Sequence, residues 1–139
     1  MLVIRNLVHD PILLARKSEP AGPEDLGIVA DLLDTFQAHR RTCVGMAANM
    51  IGVYKRIIVL DYEGQNLVML NPVILTQSDV YDGEESCLSL LGGPRKTLRY
   101  RKIKVKYQNL EFRIRIKTFT GWTAQIIQHE MDHCNGVLI

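Results

Sequence analysis

Leu26, Val29, Leu32, Leu33 and Phe36 recur at the three- and four-residue steps of one helix face. Asp31, Asp34, Gln37 and His39 fall largely on the other side. This predicts a helix over 24–40, begun by Pro23, Glu24 and Asp25 and closed by Arg40-Arg41. A second helical pattern lies near the end of the chain. Trp122, Ile126, His129 and His133 form one stripe, and Ala124, Ile127, Met131 and Cys134 lie on the other side. A helix apolar on both sides is a buried helix. Thr120 is its candidate cap, and Asn135-Gly136 its stop signal. Between the helices the period drops to two. Ile103, Val105 and Tyr107 alternate with Lys102, Lys104 and Lys106. Phe112, Ile114, Ile116 and Thr118 alternate with Arg113, Arg115 and Lys117. These read as two antiparallel strands joined near Asn109-Leu110-Glu111, each with one buried side. Upstream, residues 56–61 and 67–70 read as a hairpin across Glu63-Gly64, and Val73-Ile74-Leu75 starts another short strand. Residues 1–22 are interrupted by Asp10-Pro11 and Glu19-Pro20 and read as irregular. The expected class is α+β, as a single domain over 1–139.

Composition narrows this only a little. The chain has 139 residues, of which 47% are hydrophobic and 23% charged, so it can bury one core. The net charge of +2 is too small to point to nucleic acid. The lysines near residue 104 read as the wet face of a strand, so direct nucleic acid readout is not expected. No apolar run has the length of a membrane span. Arg5, His9, Asp10 and Arg16 deny the N-terminus the apolar core of a signal peptide. Three cysteines, an odd number, argue against a disulfide framework. A cytoplasmic location with no membrane partner is the expectation.

The chemistry is concentrated in His129-Glu130-Met131-Asp132-His133, which has the form H-E-x-x-H. Two histidines four apart on a helix can reach one metal ion, and Glu130 stands beside the first of them. A catalytic metal needs a third protein ligand. Cys134 points away from the histidine side, so the third ligand comes from upstream, where Cys87 is the best candidate. A free cysteine is more often a small buried hydrophobe. The run Cys43-Val44-Gly45-Met46-Ala47-Ala48-Asn49-Met50-Ile51-Gly52 has small side chains that let a backbone or ligand come close, although a tightly packed core loop explains it as well.

Three segments together resemble the peptide deformylase family. Residues 43–50 resemble its pattern G-x-G-L-A-A-x-Q, Glu85-Ser86-Cys87-Leu88-Ser89 its E-G-C-L-S, and residues 128–136 its Q-H-E-x-D-H-x-x-G. The resemblance spans nearly the whole chain and implies the family's fold, with antiparallel and mixed strands around a central metal-binding helix. It implies one divalent metal held by Cys87, His129 and His133, with Fe2+ expected and Zn2+ or Ni2+ as substitutes. It implies removal of the formyl group from the N-terminal formylmethionine of nascent chains, with the ribosome as a candidate place of action. Metal-activated water would attack, with Glu130 as the base. The backbone N–H of Leu88 would hold the oxyanion, and the main chain of Gly45 would pair with the peptide. Val44, Trp122, Gln125 and Ile126 fall where the family lines its methionine pocket, and Glu85 is expected beside the substrate. Arg101 and Asp132 resemble a pair that steadies the metal helix.

The chain departs from the family pattern at several places. Met50 stands where the family has a glutamine whose amide serves the oxyanion, and a thioether cannot donate a hydrogen bond. Asn49 carries an amide next to it, but adjacent side chains usually diverge. Ser86 and Cys43 replace family glycines, and Leu91-Gly92-Gly93-Pro94-Arg95-Lys96 differs from the usual form. A divergent paralogue of low turnover, acting as a metal- and formyl-peptide-binding module, is therefore the alternative. A metalloprotease or a purely structural zinc domain fits less well.

Overall fold

Ile57-Ile58-Val59-Leu60 shows no polar alternation because both faces of its strand are covered. A computed structural model gives the fold, with residues 2–87 and 89–139 described and the side chains of 90–92 left aside. Strand β2 (Ile57–Tyr62) lies in a five-stranded antiparallel sheet with β1 (Gly45–Ala47), β3 (Gln65–Cys87), β4 (Leu90–Gln108) and β5 (Ile114–Thr120). The strands follow one another in space as they do in sequence. Helix α3 (Gly121–Cys134) covers one face, where Ile58, Leu60, Met69, Ile103 and Val105 meet Ile126, Ile127 and Met131. Helix α2 (Leu26–Ala38) covers the other, where Leu32 and Phe36 meet Ile57, Val59 and Leu70. Full burial of side chains of this size stabilises by about 1.5–3 kcal/mol each.

The start of α2 lies later than the apolar pattern suggests, because a 3-10 turn at Pro23–Asp25 precedes it. The described residues up to 22 contain one helical turn, α1 (Pro11–Leu14), whose Ile12 N–H is accepted by the Asp10 carboxylate at 2.9 Å. Thr120 precedes α3 in extended conformation, but its side chain makes no cap bond. Glu63 and Gly64 both have positive φ (53° and 83°), which gives the hairpin turn the twist that suits antiparallel strands.

Two strand expectations need correcting. The short strand at 73–75 is part of a long ribbon in which β3 pairs β4 from Leu70↔Gln108 to Cys87↔Leu90. Residues 75–80 are exposed, so the ribbon there rests on backbone pairing and carries no apolar alternation to read. In β5 the sides are reversed. Ile103 pairs with Phe119, which puts Phe119 in the core and turns Ile116 and Ile114 outward with Lys106. Ile114 and Ile116 are 58% and 55% exposed. β5 is an edge strand, and Lys117 on its inner side lies over the Tyr62 ring, 4.5 Å from the centroid.

Gly136 ends the last helix with φ 75°, and a Cβ there would run into the Ala15 carbonyl. Gly136→Ala is expected to lower stability by about 2 kcal/mol or more in urea unfolding, because conformation and space both forbid it. A change of under about 0.5 kcal/mol, the level of an ordinary surface substitution, would contradict this packing.

Candidate active site

Three elements meet at one cleft of about 360 Å³. Helix α3 brings His129 and Glu130, the end of β3 brings Glu85 and Cys87, and β1 brings Gly45, with His133 of α3 buried one turn beyond His129. One ligand atom from each of Cys87, His129 and His133 lies within 4.8 Å of the other two. The imidazole rings stand edge to face with centroids 4.5 Å apart.

Glu85 organises this group. Its carboxylate accepts from His129 Nδ1 at 2.7 Å, Arg99 Nε at 2.8 Å, Arg99 Nη2 at 2.7 Å and Gln125 Nε2 at 3.0 Å. Burial opposes its charge, yet the bonds from His129 and Arg99 outweigh burial and hold its pKa at about 2. With Nδ1 committed to Glu85, Nε2 of His129 is left to act as a ligand, the usual arrangement behind a metal-binding histidine. His133 is tied at both nitrogens, by Glu130 Oε1 at 2.9 Å from Nδ1 and the Ile139 carbonyl at 3.2 Å from Nε2. Burial lowers the affinity of His129 for its proton, but Cys87 and Glu85 raise its pKa to about 9. His133 is likewise raised, by Glu130 and Cys87 against burial. Burial also acts against the Cys87 thiolate, and hydrogen bonds from the two imidazoles bring its pKa down to about 6.

Arg99 also donates to Asp132 Oδ2 at 2.7 Å, so it bridges β3 and α3. This corrects the expected Arg101–Asp132 pair. Residues 99 and 101 share one side of β4, so alternation cannot tell them apart. Arg99 is the one buried by α3, whereas Arg101 is exposed and stacks on Tyr81 at 4.4 Å.

Gly45 is a glycine for want of room: a Cβ would lie 2.8 Å from Ile126 Cγ2 and 3.0 Å from Glu130 Oε2. Val44 O accepts from Asp61 N at 2.9 Å, so position 44 faces β2 and the next residue, Gly45, turns its N–H and C=O outward. β1 is an edge strand, and this open edge borders the cleft. The Gly45 carbonyl accepts from the Cys43 thiol at 2.7 Å.

Val44, Glu85, Trp122, Gln125 and Ile126 all line the same cleft. Trp122 is 61% exposed, at the rim and not in the buried stripe expected of it. Met50 reaches the cleft wall, and its sulfur faces the Ala47 N–H at 3.4 Å. Asn49 does not replace the missing amide donor. The 3-10 turn Ala48–Ile51 sends it the other way, where Nδ2 donates to the His133 carbonyl at 3.0 Å. Leu88, expected to supply a backbone donor, lies outside the described residues. Tyr81, which donates to Gln125 Oε1 at 3.0 Å, went unnoticed in the sequence because it sits in the unpatterned ribbon.

The polypeptide deformylase family model matches residues 4–139. The chain belongs to the peptide deformylase family. A peptide deformylase of Clostridium beijerinckii is 49% identical over 137 residues, covering 99% of this chain and all of its own. One from Halothermothrix orenii is 37% identical, covering 94% and 86%. The class I type b deformylase of Acinetobacter baumannii with Met-Ala-Ser bound superposes with a TM-score of 0.87 at 28% identity, covering 99% and 97%. The deformylase of Legionella pneumophila gives 0.89 at 31%, covering 98% and 83%. The chain is thus a metal-dependent hydrolase that deformylates formylmethionyl peptides. Among the described residues no helix is long and apolar enough to cross a membrane.

The donor set fits a metal: one thiol of lowered pKa and two imidazoles converge, and one imidazole is already oriented by a carboxylate. Ligand imidazoles are neutral, whereas His129, with its pKa raised to about 9, carries a proton at neutral pH in the metal-free site, and the pKa of His133 is raised in the same direction. Metal uptake at pH 7.5 should therefore release a proton from His129, and affinity should rise as pH climbs toward about 9, the value for His129. Calorimetry in buffers of different ionisation enthalpy measures this. Uptake without proton release would contradict the charge state.

Proposed function

We propose that Cys87, His129 and His133 hold one divalent ion, ferrous iron in the cell with zinc or nickel as substitutes, and that Glu130 is the base in deformylation. The observation that carries this is the convergence of those three ligand atoms within 4.8 Å, beside a cleft that Cys87, His129 and Glu130 line. A thiolate with two imidazoles suits first-row transition metals. Such an ion supplies a Lewis acid and a water that loses its proton near neutral pH. Every other part falls to the chain. Glu130 takes the proton from the water and delivers it to the leaving amine, so that formate and a free N-terminus result. The outward N–H and C=O of Gly45 pair with the peptide as an added strand. Val44, Trp122, Gln125 and Ile126 receive the methionine side chain, and Glu85 holds His129. The backbone N–H of Leu88 serves the oxyanion.

Met50 offers no donor to that oxyanion, and losing one such donor costs about 10²–10³ in rate elsewhere. The match to deformylases over residues 4–139 nevertheless favours turnover over a binding-only role. Met-Ala-Ser bound to the Acinetobacter deformylase supports a methionyl peptide as the occupant of the cleft. We further place residues 1–139 as one domain acting in the cytoplasm, where formylmethionyl chains leave the ribosome.

The test is kcat/KM on formyl-Met-Ala-Ser with metal content measured alongside. Glu130→Gln should keep its metal and lose about 10³-fold or more in turnover. A metal-loaded Glu130→Gln protein within tenfold of the parent would remove Glu130 from the role of base.

A further inference from the structure

The hydrogen bonds around Glu85 continue beyond the metal-ligand side. Gln125 donates to Glu85 Oε2 at 3.0 Å, and Tyr81 donates to Gln125 Oε1 at 3.0 Å. Arg101 lies over the Tyr81 ring. Room has been kept for this contact: a Cβ on Gly83 would lie 3.2 Å from Gln125 Nε2 and 3.3 Å from Arg99 Cγ. An amide can be turned either way. Turned with its oxygen toward Glu85, it would repel the carboxylate. Tyr81 holds the amide oxygen and so fixes the donating end on Glu85.

The same Gln125 lines the cleft between Trp122 and Ile126. One amide therefore belongs to the substrate pocket and, through Glu85, to His129. Resting on the metal reading above, we propose that Gln125, oriented by Tyr81, is a positioning residue that couples occupancy of the side-chain pocket to the orientation of His129. A side chain entering the pocket bears on the Gln125 amide, and any shift there is passed through the Glu85 carboxylate to the imidazole.

The test uses the full chain loaded with cobalt(II), as the parent protein, Gln125→Leu and Tyr81→Phe. Three quantities are read: the visible spectrum with and without Met-Ala-Ser, the rate of metal loss to a chelator, and thermal stability of the metal-free proteins. Gln125→Leu should lose metal about tenfold faster, the scale seen when a residue behind a metal ligand is removed. Tyr81→Phe, which leaves the pocket wall intact, should move in the same direction by less. Met-Ala-Ser should shift the cobalt bands of the parent protein and leave those of Gln125→Leu nearly still. Metal-free stability should stay close to the parent in Tyr81→Phe, which separates positioning from a general structural role. Unchanged metal release in both variants would overturn the proposal. So would an equal Met-Ala-Ser shift in Gln125→Leu and the parent. A parent protein that takes up no cobalt overturns the metal reading itself and this inference with it.

Discussion

A carboxylate almost wholly removed from water stands behind Cys87, His129 and His133, and it is stable only because four hydrogen bonds meet it. Glu85 is 8% exposed and Arg99 4%. Their two-pronged contact is the geometry in which a buried ion pair repays part of its desolvation. Taking away one partner of such a pair costs about 3–5 kcal/mol, since the other is left charged in the interior. Arg99 also holds Asp132 on α3. The far end of the β3–β4 ribbon, which has little core of its own, is thereby fastened to the helix that carries both histidines. Cys87 stays next to His129 and His133 because Glu85 and Arg99 fix the segment two residues before it.

The sheet supplies the remaining constraint. β2 is packed between α2 and α3, so β1 is held firmly on one edge while its other edge stays open beside the cleft. A rigid edge strand with one outward-facing glycine suits an extended peptide. Glu130 and Ile126 lie so close to Gly45 that any larger residue would displace the carboxylate. Gly45, Ala47 and Ala48 thus combine close packing with an open strand edge, which is why a packed loop and an approachable one could not be told apart in the sequence.

Legibility in the sequence followed burial. The helix at 121–134, the two-sided strand 57–60 and the inner face of 103–107 each have one side or both in a core, and their periods could be read. The ribbon at 75–80 is exposed, so nothing in its pattern marks a strand. The face of β5 departs from its pattern because only Phe119 of the strand is buried, leaving two isoleucines outside and an exposed Lys117 over an aromatic ring. Arg99 and Arg101 have the same parity, and only the position of α3 distinguishes them. The direction of Asn49 depends on a single 3-10 turn. The three motifs, by contrast, carried the family, because a metal site needs particular atoms at particular places whatever surrounds them.

X-ray absorption on the zinc-loaded protein tests the metal centre most directly. The account predicts one sulfur at about 2.3 Å with two imidazole nitrogens at about 2.0–2.1 Å, and loss of the sulfur shell in Cys87→Ser. A first shell with no sulfur in the parent protein would contradict it.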